Sequence, residues 1–175
     1  MSIQTSLSCL VAGLNQHPRR WHLLGIVVCV FMFAVAFWLQ FVLQLEPCPL
    51  CILQRIALFT ALVLFTCLAI WQPKNWYWHL LPSLGGLAGI VLAGRHLWLQ
   101  SLPADQVPAC GPGLDYLLDV FPLWDVLTSI LSGSGECAKI SAAWLGLSIP
   151  AWTLFGFVAL VGFNGILAWQ IKRHT

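Results

Sequence analysis

Cys48-Pro49-Leu50-Cys51 concentrates more reactive chemistry than any other four residues of the chain. Two thiols at this spacing can close a disulfide or ligate a metal, and one of them can be held as a nucleophilic thiolate. Pro47 and Pro49 interrupt a helix arriving from the N-terminal side, and an apolar run opens at Cys51. A helix start offers unpaired N–H groups and the positive end of a dipole, so Cys51 is placed to be an anion. Arg55 follows four residues later on the same helical face. Helical side chains lean toward the N-terminus, which aims its guanidinium back at that sulfur. A charge one turn inside an apolar span is a functional candidate by default, the competing reading being an arginine that snorkels to the interface.

The elements that must hold these residues are long apolar helices. The 175 residues are 59% hydrophobic and 8% charged, with a mean hydropathy of +0.85. A soluble domain carries about 25% charged residues, so water is not the main solvent of this chain. Four runs stand out, near 21–45, 52–71, 76–98 and 149–171. Each holds about 20 residues or more, enough to cross a hydrocarbon core of roughly 30 Å, and in lipid such runs must be α-helical. Trp21, Trp71, Trp76 and Trp98 stand at their ends as interfacial anchors. Ala34-Val35-Ala36 resembles a signal cleavage site, but the apolar stretch continues through Phe37-Trp38-Leu39, so the first helix is expected to be retained. The expectation is one all-α membrane domain over 1–175, a four-transmembrane-helix bundle. A net charge of +2 without a basic cluster argues against nucleic acid.

Charge sets the orientation. Arg19, Arg20, Lys74, Lys172 and Arg173 flank one set of helix ends. All six acids (Glu46, Asp105, Asp115, Asp119, Asp125 and Glu136) fall in the segments 46–51 and 99–148. Basic residues mark the cytoplasmic side, so both termini are expected there and the two acidic loops outside. The seven cysteines then sort by side. Cys9 lies in the inner tail, and Cys29 and Cys67 are packing residues within the first two runs. Cys48, Cys51, Cys110 and Cys137 share the outer side, where disulfides persist. These four could cycle, or could form two structural staples.

The 99–148 loop is irregular at first, with Pro103, Pro108, Gly111, Pro112 and Gly113 around Cys110. Leu114, Leu117, Leu118 and Phe121, then Trp124, Leu127, Ile130 and Leu131 past Pro122, form apolar stripes. They predict a short helix on the membrane surface, or two helices with a break. Ser132-Gly133-Ser134-Gly135 reads as a hinge before Cys137, and a mobile Cys110–Cys137 pair is what an exchanging partner would reach. Arg95 and His96 lie at the depth of Arg55; His96 is a candidate ligand contact and Arg95 a head-group or loop contact. His22 and His79 are expected to be solvated at the inner interface. No histidine pair has metal-site spacing. Gly85, Gly86 and Gly89 suggest close helix packing, and Asn164 an interhelical hydrogen bond.

The chain resembles the DsbB family of membrane proteins that reoxidise a periplasmic dithiol oxidase. The resemblance runs through Glu46-Pro47-Cys48-Pro49-Leu50-Cys51-Ile52-Leu53-Gln54-Arg55 and Gly94-Arg95-His96-Leu97-Trp98-Leu99-Gln100. It continues through Pro108-Ala109-Cys110-Gly111-Pro112, Gly133-Ser134-Gly135-Glu136-Cys137-Ala138 and Leu145-Gly146-Leu147-Ser148-Ile149-Pro150-Ala151-Trp152. Leu53 stands where many members have an aromatic residue. The resemblance implies a protein-dithiol:quinone oxidoreductase of the bacterial inner membrane, with ubiquinone or menaquinone near the outer end of the second helix and a DsbA-like oxidase as partner. It implies disulfides Cys48–Cys51 and Cys110–Cys137, with a transient Cys48–Cys137 bond between them. Cys51 would face the quinone beside Arg55, His96 would contribute to quinone use, and Cys110 would be attacked by the partner. A paralogue serving a specialised oxidase, or an enzyme like vitamin K epoxide reductase, would share this logic. A disulfide-stapled scaffold would not be catalytic, and a zinc protein would need all four thiols reduced in an oxidising compartment.

Overall fold

The computed structural model describes residues 18–103, 105–107, 114–133, 135–138 and 143–174; Cys9 and Cys110 lie outside them. Four helices are long and apolar enough to cross a membrane, and they form the expected all-α bundle. Helix α1 spans Pro18–Phe41 and α2 spans Pro49–Trp71. A 3-10 turn, Trp76–Leu80, leads into α3, Pro82–Gln100. The segment between α3 and the last span holds α4 (Leu114–Val120), α5 (Leu123–Ser132) and α6 (Gly135–Ala138). A two-stranded ladder, β1 (Ala143–Trp144) with β2 (Leu147–Ser148), precedes α7, Ile149–His174.

The boundaries follow from backbone chemistry. Helix α1 stops short of the expected residue 45, and Gln44 takes a left-handed φ of 53° in the turn that follows. Helix α2 begins three residues earlier than expected, because a proline at the first helical position costs no hydrogen bond. The third span is interrupted rather than continuous from 76. Pro82 has no N–H to donate, so a 3-10 turn precedes the α-helix. The surface stripe resolves into two helices, with Pro122 between them; Pro122 carbonyl accepts from Asp125 and Val126. Val126 and Ile130 of α5 turn inward while Leu123 and Trp124 face out. The small hairpin was not expected in an all-α chain. Leu145 and Gly146 both take positive φ, the geometry of a tight two-residue hairpin turn.

Small residues bring the spans together. A Cβ on Gly85 would stand 2.7 Å from the Ala57 carbonyl oxygen, so α2 and α3 approach backbone to backbone there. Cys29, Leu58, Ala61, Phe65, Phe157 and Leu160 form the core at mid-bundle. Asn164 donates to Ser83 Oγ at 2.8 Å, the interhelical bond anticipated for it.

The histidines near the basic end correct the sequence reading. His22 and His79 are both wholly buried, not solvated. Their rings stack and join by a 2.7 Å hydrogen bond, and His79 Nε2 donates to the Pro73 carbonyl oxygen at 2.9 Å. The 3-10 turn tucks His79 under α1, a placement that the expected straight helix did not provide.

Candidate functional site

Cys48 is the N-cap of α2, with Pro49 at the first helical position and Cys51 in the first turn. The Cys48 carbonyl accepts from Ile52 at 3.1 Å, which closes that turn and folds the two thiols together. Their sulfurs lie 3.1 Å apart, the Cys48 thiol donating to Cys51 Sγ. Both side chains are part-exposed, and the residue between them, Leu50, is fully buried in a cluster with Leu99, Val126, Ile130 and Cys137. The dithiol is thus mounted on a packed apolar base while its sulfurs stay reachable.

Two further groups converge on Cys48. His96, 3% exposed on α3, places Nε2 at 3.8 Å from Cys48 Sγ and Nδ1 at 4.0 Å from Cys51 Sγ. Cys137, 1% exposed on α6, brings its sulfur within 4.8 Å of both Cys48 Sγ and a His96 nitrogen. Its backbone also reaches the His96 ring. Residues up to half the chain apart therefore share one cluster. The hinge reading of 132–135 changes at Gly133. This glycine is buried at φ 92°, and a Cβ there would meet Leu99 Cδ1 at 2.6 Å. Only glycine fits both the backbone angle and the close approach, and the result seats Cys137 inside rather than on a mobile surface.

Arg95 fastens the same segment. Its Nε and Nη2 donate to the carbonyls of Leu131 and Ser132 at 3.1 and 2.9 Å, at the C-terminal end of α5. A cation there also meets the negative end of the helix dipole. The guanidinium lies 4.1 Å from the Trp98 ring centroid, which adds a cation–π contact. Arg95 is thus the loop contact anticipated for it.

Arg55 is oriented differently from the expectation. Its hydrogen bonds run across to α1, Nη1 to Gln40 Oε1 and Nη2 to the Ala36 carbonyl oxygen at 3.1 Å, rather than back to Cys51. The guanidinium stands 5.2 Å from the Phe37 ring centroid. Those two bonds leave further N–H donors of its five at the edge between α1 and α2.

Two site residues escaped the sequence reading. Gln54, 5% exposed, approaches His96 Nδ1 with its amide at 3.3 Å, and Thr153 on α7 donates to Gln54 Oε1 at 2.9 Å. Thr153 Oγ1 also lies 2.9 Å from the Pro150 carbonyl oxygen. The signal for Gln54 was present: a second polar residue beside Arg55 inside the apolar span, where polar groups are costly. Successive helical residues diverge by about 100°, so Gln54 turns to α3 and α7 while Arg55 turns to α1. Cys110 lies outside the described residues.

A dithiol, a third buried thiol and an imidazole within one pocket suit thiol–disulfide exchange. A sulfur attack needs its target within a short movement, and a nearby ring nitrogen can take or return the thiol proton. The same atoms could ligate a soft metal.

The family description "Disulfide bond formation protein DsbB" matches residues 18–167. The disulfide bond formation protein B of Chromohalobacter salexigens is 50% identical over 169 residues, covering 94% of this chain and 97% of its own. The one from Nitrosococcus oceani is 49% identical over 159 residues, 88% of this chain and 92% of its own. That from Hahella chejuensis is 51% identical over 146 residues, 82% and 87% respectively.

Proposed function

The chain belongs to the DsbB family, and from that premise we propose that it reoxidises a periplasmic DsbA-like dithiol oxidase and passes the electrons to a membrane quinone, ubiquinone or menaquinone. The observation that supports this most is the approach of Cys137 to Cys48. A cysteine of the second outer loop lies within 4.8 Å of Cys48 of the C-x-x-C pair, where electron traffic between the two loops would have to cross. On this reading the protein sits in the bacterial inner membrane with both termini in the cytoplasm, as the basic residues at one end of the bundle favour.

The cycle starts with disulfides Cys48–Cys51 and Cys110–Cys137. A thiolate of the reduced partner attacks Cys110, forming a mixed disulfide and releasing Cys137 as a thiolate. Cys137 attacks Cys48, and Cys51 leaves as a thiolate. The partner's second thiol then cleaves the mixed disulfide, so the partner departs oxidised and Cys110 is freed. Cys110 recovers Cys137 from its bond to Cys48, leaving Cys48 and Cys51 as a dithiol. Quinone, the second substrate, accepts two electrons and two protons as the Cys48–Cys51 disulfide re-forms. The sum is one partner dithiol oxidised and one quinone reduced. His96, facing both Cys48 and Cys51, takes and returns thiol protons in these steps. Arg55 supplies positive charge at the α1–α2 edge for a reduced quinone oxygen.

The test is quinone reduction by the purified chain with a reduced DsbA-like partner, followed by quinone absorbance. Wild-type protein turns over and the Cys51→Ser variant does not. A Cys51→Ser protein that reduced quinone at the normal rate would overturn the scheme.

A further inference from the structure

We propose that Cys48, Cys137 and His96, once the two thiols are reduced, form a zinc site whose occupancy arrests the thiol chemistry. The three ligand atoms all lie within 4.8 Å of one another, and Cys48 Sγ to His96 Nε2 is 3.8 Å. Tetrahedral zinc, with bonds of about 2.3 Å to sulfur and about 2.0 Å to nitrogen, sets its ligand atoms roughly 3.5–3.8 Å apart. One edge of that polyhedron already has the right length, and the others need a contraction of at most about 1.0–1.3 Å. Three protein ligands leave the fourth position of the shell to a water.

The surroundings suit a bound cation. Ligating histidines usually have their second nitrogen held by a partner, and His96 has one in Gln54, itself tied to Thr153. Rotating the Gln54 amide presents its oxygen to Nδ1–H and leaves Nε2 bare for the metal, while Thr153 accepts from the amide nitrogen and donates to Pro150. Leu50, Leu99, Val126 and Ile130 wall the site from water, and the part-exposed Cys48 and Cys51 leave an approach for the ion.

Binding moves protons but no electrons. Zinc displaces one proton from each of two thiols and forms two sulfur–zinc bonds. A Cys48 held in any disulfide has no thiolate to give, so the site exists only in the reduced or part-reduced chain. It differs from a resident four-cysteine zinc centre in using an imidazole, and it needs no assumption about the electron acceptor.

The experiment uses the full-length chain in detergent, reduced anaerobically and freed of reductant. Zinc is titrated against a chromophoric chelator, with cadmium as the ultraviolet probe of thiolate ligation. One equivalent is expected to bind with release of two protons, and to raise the unfolding temperature of the reduced chain. Cys137→Ser, an isosteric change, and His96→Ala are each expected to weaken binding at least about tenfold. The disulfide-oxidised chain binds none. Affinity that survived both substitutions and vanished in Cys51→Ser would assign the metal to the C-x-x-C dithiol alone and overturn the proposal. Undiminished binding by the oxidised chain, or none by the reduced chain, would overturn it equally. All these readouts are independent of quinone turnover.

Discussion

Two buried imidazole sites occupy opposite ends of this bundle. At the basic end His22 and His79 face each other, and their hydrogen bonds pass from ring to ring to the Pro73 carbonyl. At the other end His96 faces two sulfurs of α2 and a third from α6, with Gln54 behind it. Burial is nearly equal, so burial does not separate them. Their neighbours do. The His22–His79 pair meets rings and a carbonyl, which can be satisfied but not transformed. The His96 ring meets thiols, which can lose a proton, change bonding partner or bind a metal. That second site joins two spans, α2 and α3, to the short α6, whereas the His22–His79 pair locks the 3-10 turn under α1.

That contrast can be broken by substitution. The largest effect is expected at the sulfurs: Cys48→Ser or Cys51→Ser should lower turnover by about three orders of magnitude or more, since a hydroxyl cannot take part in disulfide exchange. Cys67→Ser, on the exposed face of α2, should leave steady-state turnover unchanged. Gln54→Leu comes next. It strips His96 of its support and should slow turnover by roughly tenfold or more, corresponding to about 1–3 kcal/mol for an unpaired buried group. Gln54→Glu, which can still accept from the ring, should recover most of the rate, whereas a purely packing role would not distinguish the two variants. His79→Leu inverts the pattern: thermal unfolding in detergent should show a loss of about 1–3 kcal/mol while turnover per folded molecule stays the same. Turnover falling with His79 would show that the His22–His79 pair is not merely structural. Arg95→Leu should release the end of α5, and the alkylation rate of Cys137 in the reduced chain should rise several-fold. The smallest effect is expected from Ser83→Ala, about 0.6 kcal/mol of stability, a typical value for one interhelical bond in a membrane bundle.

Much of this was legible in the chain. Hydrophobic runs locate helices because lipid leaves the backbone no alternative, and Pro49 at a helix start is a local rule. Pro82 carried the same kind of signal, yet the run around it is apolar enough to hide the break. The cysteines and Arg55 could be selected from residue type and spacing alone. Their partners could not: that Arg55 bonds to Gln40 and Ala36 depends on the rotation of α1 against α2. His22 looked solvated because Arg19 and Arg20 stand just before it at the helix end, and nothing local reveals that His79 folds under it. Gly133 looked like a hinge because glycine serves both freedom and close approach, and only the packed Leu99 decides between them.

The adjacency of Gln54 and Arg55 makes α2 an indexed shaft. Two polar side chains about 100° apart are engaged by two different neighbours, Gln54 by His96 and Arg55 by α1. Their common origin is the cap at Cys48, so the phase of both is counted from the C-x-x-C motif. Adding or removing one residue between Cys51 and Gln54 would turn that shaft by about 100° and carry both polar groups away from their mates. This stretch of α2 should therefore tolerate no change of length.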